Sequence, residues 1–217
     1  MLSIVVPFYN DEGCPAIFVN KLKKALKGID YELILVDDYS GDSTPQELDS
    51  LKSANIKIIH NKKNLDYGGA VVTGLNYAKG DIIGFTCGDG EVTAEDVVKV
   101  YKEMNSHDVI KAVRVNRKDG VNRKFISLVF NLWARLKFGI KLKDINGYPL
   151  FLKRKIYQQL SNLRTDWIFN TDMIRKILAR GYKIHSVVVI HKIRAEGKSH
   201  MTPKRIIKMV IKFFKYK

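Results

Sequence analysis

Three short apolar runs in the first ninety residues each end in carboxylates: Leu2-Ser-Ile-Val-Val-Pro-Phe-Tyr-Asn-Asp-Glu12, Tyr31-Glu-Leu-Ile-Leu-Val-Asp-Asp38 and Asp81-Ile-Ile-Gly-Phe-Thr-Cys-Gly-Asp-Gly-Glu91. Acids that follow apolar runs suit two tasks, holding a divalent cation and accepting hydrogen bonds from the hydroxyl or amino groups of a nucleotide. A bare anion would be repelled by such a set, so a metal-bridged nucleotide is the ligand its chemistry favours. The plainer alternative is that polar residues end many strands.

The elements needed to bring Asp11, Glu12, Asp37, Asp38, Asp89 and Glu91 together are legible in the pattern. Short β-branched runs alternate with helix-length amphipathic stretches, which predicts parallel strands joined by crossover helices. Sheets of this kind bind ligands beyond the carboxyl ends of their strands. Strands are expected at 2–7, 33–36, 56–60, 82–85 and 109–113, with helices near 16–26, 46–53, 64–78 and 94–104. Gly80 is expected as a helix C-cap and Thr93 as an N-cap. Further on, the pattern predicts a basic amphipathic helix from about Arg123 to Leu136, a Gly-Tyr-Pro turn at 147–149 and a strand near 150–153. Two helices, a strand at 184–190, a polar loop and a final helix complete the expected elements.

Charge is divided unevenly. Residues 1–110 hold 11 Lys, no Arg and 17 acids, net −6; residues 111–217 hold 27 Lys or Arg and 5 acids, net +22. An acidic nucleotide and metal half joined to a basic half facing a polyanion fits this division. All ten Arg lie in the basic half, and Arg suits bidentate phosphate recognition. With 217 residues and 46% apolar content, one α/β domain with appended elements is expected. Cys14 and Cys87 form neither a disulfide framework nor a metal-ligand spacing. The strand beginning at residue 2 leaves no room for a signal peptide, and no apolar run reaches the ~18 residues of a membrane span. A cytoplasmic location is therefore expected.

The runs Ile4 to Glu12, Leu33 to Thr44, Asn64 to Ala70 with Gly74 and Gly80-Asp81, and Gly88-Asp-Gly-Glu91 together resemble family-2 glycosyltransferases of the GT-A fold. Arg123-x-x-x-Ser127, Asp144-Ile-Asn-Gly147 and Arg194-x-x-Gly-Lys-Ser199 are similar to the branch of dolichyl-phosphate mannose synthases and related polyprenyl-phosphate glycosyltransferases. The resemblance covers about residues 2–201. It implies a GT-A domain over 1–202, divided into a nucleotide-sugar half (1–110) and an acceptor half (111–202), with a basic amphipathic helix at 203–217.

The resemblance also implies roles. Pro7, Tyr9 and Glu12 match the loop against the donor nucleotide, Asp38 the acid on its base or ribose, and Gly69 falls in a further donor-binding segment. Arg194, Lys198 and Ser199 resemble a clamp on the donor diphosphate. Asp89 matches the second aspartate of the Asp-x-Asp metal motif, and Glu91 stands where Gln is common. Cys87 replaces the first aspartate, and Asp66 replaces a glycine of the usual Asn-x-Gly. A thiol is a poor ligand for Mg²⁺ or Mn²⁺. Either Asp89 and Glu91 hold the ion with the donor diphosphate, or the chain is an inactive nucleotide-sugar-binding subunit. His191 is a further candidate for metal or diphosphate; the alternative is a structural histidine at a strand end.

The expected reaction is inverting transfer of a sugar from a UDP- or GDP-linked donor. A polyprenyl phosphate acceptor is already anionic and needs positioning by Arg114, Arg117, Arg123, Lys124 and Ser127 rather than a base. A saccharide hydroxyl would need a base, with Asp166 or Asp172 as the candidate, unless these are a helix-cap acid and a solvated acid. Two helices suggest an anionic membrane surface. In the 123–136 helix Arg123, Lys124, Ser127, Asn131 and Arg135 share one arc. In the tail Lys204, Arg205, Lys208, Lys212 and Lys215 do, opposite an apolar face that includes Tyr216. Packing on the core or on a membrane-protein partner is the alternative. A nucleic-acid partner is not expected, because the basic half carries no recognition motif.

Overall fold

The computed structural model describes residues 1–116, 121–192 and 216; for 121–126 it describes helix membership alone. Strands β1 (Leu2–Phe8), β2 (Tyr31–Asp37), β3 (Ile56–His60), β4 (Ile82–Phe85), β5 (Val109–Val115), β6 (Leu150–Lys153) and β7 (His185–Ile190) form one sheet in the order β3-β2-β1-β4-β6-β5-β7. Pairing is parallel except for β6, which runs antiparallel to both β4 and β5. Helices α1 (Cys14–Ala25), α2 (Thr44–Ser50), α3 (Asp66–Tyr77), α4 (Ala94–Lys102), α5 (Val121–Phe138), α6 (Arg154–Tyr157) and α7 (Phe169–Ala179) cover its faces.

Period-two alternation divides the apolar residues between two cores. Leu2, Ile4, Val6 and Phe8 of β1, with Leu33 and Leu35 of β2, pack with Phe18, Val19 and Leu22 of α1 and Val97 and Val100 of α4. Val5, Ile34 and Val36 point the other way, onto Val71 and Leu75 of α3 and the cluster containing Phe169, Met173 and Ile177 of α7. Both sheet faces are covered, which is why the strands read as nearly continuous apolar runs.

From β1 the chain winds outward to β2 and β3, then returns through α3 to place β4 on the other side of β1. The order reverses between β1 and β4, and a crevice opens beyond their carboxyl ends at such a point. Gly88 brings the loop after β4 against β1: a Cβ there would stand 2.2 Å from the Phe8 ring.

Two details differ from expectation. The C-cap of α3 is Ala78, not Gly80. Gly80 is required by close approach instead, since its N–H donates to Ser3 Oγ at 2.8 Å and a Cβ would meet that oxygen at 2.7 Å. The fifth strand and the basic helix are each longer than their patterns indicated. Thr93 does cap α4, accepting a hydrogen bond from Asp96 N–H at 3.1 Å. The polar loop, the final helix and the boundary at 202 lie outside the described residues.

Candidate active site

The β1–α1 and β2–α2 loops are laced together. Asn10 N–H donates to Ser40 Oγ (3.0 Å), Asp11 N–H to Thr44 Oγ1 (2.9 Å), Gly41 N–H to Asn10 Oδ1 (2.7 Å) and Gly13 N–H to Glu47 Oε1 (2.8 Å). The small polar residues of 37–44 thus brace a neighbouring loop as well as turning their own. Pro7 lies near the end of β1; Tyr9 N–H donates to Asp11 Oδ2 at 3.1 Å, and Glu12 is exposed at the rim.

Asp37 and Asp38 have separate tasks. Asp37 is buried and supports the loop, accepting from Ser40 N–H at 3.0 Å and facing His60 Nδ1 at 3.1 Å. It therefore leaves the acidic set expected to face ligand. Asp38 Oδ1 accepts from Asn61 Nδ2 (2.8 Å) and Leu65 N–H (2.9 Å), while Oδ2 meets no donor among the described residues. Burial pushes the Asp38 carboxyl up to about 6, against the opposing pull of those two hydrogen bonds. The bond to Leu65 ties β2 to the start of α3, where Asp66 adopts φ +60. That left-handed conformation is the physical reason a glycine suits the position better. Gly69 is buried against Leu65 and Thr165.

Beyond β4, Asp89 Oδ1 accepts from Glu91 N–H at 3.0 Å, closing the loop on itself. The hydroxyl of Tyr148 lies 3.2 Å from Asp89 Oδ2 and 2.9 Å from Glu91 Oε2. Burial, then the charge of Asp89, raises the Tyr148 phenol well above its ordinary value, so it stays protonated and donates. Glu91 is 5% exposed and also meets His191 Nε2 at 3.2 Å and Arg114 Nη1 at 3.9 Å. Its charge is thus already engaged by the protein, and Glu91 does not stand open toward an ion as the sequence suggested.

His191 carries the donor atom the sequence could not specify. In the neutral ring, its Nε2 contact with the Glu91 carboxylate places the proton on Nε2 and leaves a lone pair on Nδ1. Nδ1 is buried and has no hydrogen-bond partner among the described residues. An orphaned imidazole nitrogen backed by a carboxylate is the arrangement that orients metal-ligating histidines. Cys87 contributes little to such a set: burial, then Asp89 and Glu91, push its thiol well up, so it stays neutral. Asp89, Glu91 and His191 do not gather into a group with all ligand atoms within 4.8 Å; the group of that kind among the described residues is Glu103, His107 and His185, elsewhere in the fold.

Arg114 and Asp172, expected beside an acceptor, and Tyr216, expected on the apolar face of the tail, are committed internally. Arg114 is 8% exposed and grips Asp144 through Nε at 2.9 Å and Nη2 at 3.2 Å. Burial opposes its charge, but Asp144 more than compensates, so Arg114 is a fixed internal cation rather than a free phosphate binder. Asp172 is 1% exposed and accepts from Arg164 N–H (2.9 Å), Lys176 Nζ (2.8 Å) and the Tyr216 hydroxyl; it is neither solvated nor open to substrate. Tyr216 is buried against Phe138 and Arg175 instead of on a membrane-facing side. Asp166 does face an opening of about 370 Å³, lined also by Leu65, Asp66, Leu163, Arg164 and Thr165, with Arg164 Nε donating to it at 3.1 Å.

Ser127 is half-buried on α5. Arg117, Arg194, Lys198, Ser199 and the tail cations lie outside the described residues, as do the Arg123 and Lys124 side chains. Sequence reasoning missed Tyr148, read only as part of a turn, and the buried Lys111, whose Nζ donates to Gly147 O and whose burial lowers it to about 7. An aromatic beside a Gly-x-Pro turn gives no sign of which carboxylates it will meet.

Comparison with known proteins agrees with this architecture. The chain is 28% identical over 96% of its length to an undecaprenyl-phosphate 4-deoxy-4-formamido-L-arabinose transferase of Pseudomonas fluorescens, and 25% identical over 97% to the protein of that name in Pseudomonas aeruginosa. It spans 62% and 63% of those relatives' lengths. Among solved structures, glucosyl-3-phosphoglycerate synthase of Mycobacterium tuberculosis, in complex with Mn²⁺, UDP and glucosyl-3-phosphoglycerate, matches with a TM-score of 0.75 at 16% identity, over 99% of this chain and 78% of that one. The same enzyme with Mn²⁺, UDP-glucose and phosphoglyceric acid matches at 0.77 and 17% identity, with coverage of 99% and 78%. The fold is GT-A, and because the model of glycosyl transferase family 2 matches residues 3–178, the chain belongs to that family.

Proposed function

We propose that this chain transfers a sugar from a UDP- or GDP-linked donor to a polyprenyl phosphate at the cytoplasmic face of a membrane. The observation that carries the reading is the buried His191 Nδ1, without a hydrogen-bond partner among the described residues, on a ring whose Nε2 meets Glu91, the carboxylate that Tyr148 links to Asp89 beyond β4. Asp89 and His191 would hold Mg²⁺ or Mn²⁺, with Glu91 orienting the histidine. A bound ion supplies charge stabilisation for the diphosphate leaving group. The Asp38 carboxylate accepts hydrogen bonds from the base or ribose through Oδ2, and the Pro7–Glu12 loop lies along the nucleotide. Arg194, Lys198 and Ser199 supply the cation and hydroxyl donors for the diphosphate. The acceptor phosphate needs no general base; Arg117, Arg123, Lys124 and Ser127 position it.

The names of the relatives support a polyprenyl phosphate acceptor, and the ligands of the M. tuberculosis enzyme support a nucleotide-sugar donor with a divalent ion. For the membrane surface, α5 exposes Leu128, Leu132 and Leu136 at four-residue spacing, 65%, 54% and 77% exposed, while burying Phe130 and Ala134. No described helix is long and apolar enough to cross a membrane. An exposed apolar stripe beside Arg135 and Lys137 fits a helix lying in an anionic interface, with the basic tail from 203 as a second contact.

The test is transfer from a panel of nucleotide sugars to a short-chain polyprenyl phosphate, with and without Mn²⁺. Product that requires both Mn²⁺ and the lipid phosphate supports the reading. Nucleotide binding without product from any donor would leave the inactive-subunit alternative. A saccharide acceptor has one observation in its favour, the opening beside Asp66 and Asp166. That carboxylate is already engaged by Arg164, however, and a lipid phosphate needs no base, so the lipid phosphate is preferred.

A further inference from the structure

At the opposite end of the sheet, three side chains form a cluster unrelated to the donor crevice. The end of α4 passes into a single 3-10 turn, Glu103–Asn105, from which His107 leads into β5. His185 opens β7 and is in register with Ile110 of β5. The imidazoles of His107 and His185 stack with centroids 4.0 Å apart and planes 20° from parallel, so their in-plane lone pairs run side by side and the exposed His185 ring must turn about its Cβ–Cγ bond to share an ion with His107. Ligand atoms of Glu103, His107 and His185 all lie within 4.8 Å of one another, with Glu103 and His185 exposed and His107 half-buried.

A second observation selects the ligating atom. His107 Nδ1 lies 3.2 Å from the Glu103 backbone carbonyl, which can only accept, so Nδ1 holds the proton and Nε2 keeps a lone pair. Metal-ligating histidines are commonly fixed in this way by a carbonyl on the other nitrogen. Glu103 makes no salt bridge with a described cation that would occupy its carboxylate. Two imidazoles against a single carboxylate suit ions of the Zn²⁺, Ni²⁺ and Cu²⁺ type, completed by water at so open a place, and are too rich in nitrogen for Mg²⁺.

We propose that Glu103, His107 and His185 form a transition-metal site, distinct from the active site, that fastens the start of β7 to the end of α4. Among the described residues β7 is an edge strand whose sheet partner is β5, so an ion here would add a restraint to the start of an edge strand. The strand from His185 to His191 extends about 20 Å at ~3.3 Å per residue, so an ion here does not touch the donor. It steadies the strand whose far end presents His191.

The experiment is calorimetric titration of the untagged full chain with Zn²⁺ and, separately, with Mg²⁺, alongside thermal melts. The wild type should bind one more equivalent of Zn²⁺ than the double variant His107→Ala/His185→Ala, and the Zn²⁺-induced rise in Tm should be lost in that variant. The extra step should persist in Asp89→Ala, and Mg²⁺ should not produce it. Glu103→Gln leaves the ring stack intact and should weaken the step at least tenfold, which keeps the test sound if the double variant melts early. Equal Zn²⁺ stoichiometry in the wild type and double variant, an unaltered affinity in Glu103→Gln, or loss of the step in Asp89→Ala would overturn the proposal.

Discussion

The two sides of the crevice hold their carboxylates in different ways. Asp38, on the nucleotide side, is fixed by Asn61 and Leu65, 23 and 27 residues away, within the same β2–α3 stretch of the winding sheet. Asp89 and Glu91, beyond β4, are held by Tyr148 and His191, at separations of 57 to 100 residues. The nucleotide side is a local construction that folds with its own strands. The other side exists only once the β6 and β7 segments have come home, and its electrostatics are shared among Tyr148, His191 and the Arg114–Asp144 pair. Perturbations should therefore remain local on the first side and spread on the second.

The largest expected effect is at Asp89. Asp89→Ala should lower transfer at least a hundredfold and abolish the Mn²⁺ dependence of nucleotide binding, while the melting curve shows a folded protein. Wild-type turnover would remove Asp89 from the site.

Tyr148→Phe tests the shared side more finely. It removes the hydroxyl between Asp89 and Glu91 and leaves buried acceptors short of a donor, a cost of about 1–3 kcal/mol in chemical denaturation. Because Glu91 also orients His191, Mn²⁺ affinity measured by titration should fall by about tenfold or more. A stability loss with unchanged Mn²⁺ affinity would show that the two sides are built alike after all.

Asp38 gives the pH test of the local side. Its carboxyl sits at about 6, and only the ionised form accepts hydrogen bonds through both oxygens. Nucleotide affinity should fall by up to about tenfold per pH unit below 6 and level off above it. Asp38→Asn should bind about tenfold more weakly with a flat profile. The folded-state value is raised, so the native protein binds more protons than the unfolded chain between about 4 and 6, and stability falls as pH rises through that window. Melts of Asp38→Asn should lack this decline.

The smallest effect is expected from Asp66→Gly. Relief of the left-handed backbone should raise stability by about 1 kcal/mol or less, offset in part by glycine's entropy. Asp66 is also among the charges that raise Asp38, so the midpoint of the binding profile should shift to lower pH. An unmoved midpoint with a stability gain would separate the backbone effect from the charge effect.

The local side was largely legible from residue order. Alternation in Leu2–Phe8 and Tyr31–Asp37 specifies strands and their two faces, because successive side chains point to opposite sides. The parallel winding then follows from helix-length connections, and with it the place where Asp38 and Asp89 emerge. Asp66 in place of glycine was visible as a departure, although its φ of +60 was not. The basic wheel of residues 123–136 correctly marked an amphipathic helix, yet periodicity could not say that Leu128, Leu132 and Leu136 would face outward while Phe130 and Ala134 turned to the core.

By itself, then, the sequence determined the strands, their winding and the identity of the acids that end them, since these depend on periodicity and on contacts between successive elements. Tertiary structure alone decided which charges are spent inside the protein. Arg114 is consumed by Asp144, Glu91 by Tyr148 and His191, and Asp172 by Lys176 and Tyr216. The reason is that a buried charge must find a partner within a few ångströms, and which partner arrives is settled by how distant segments pack rather than by their neighbours in the chain.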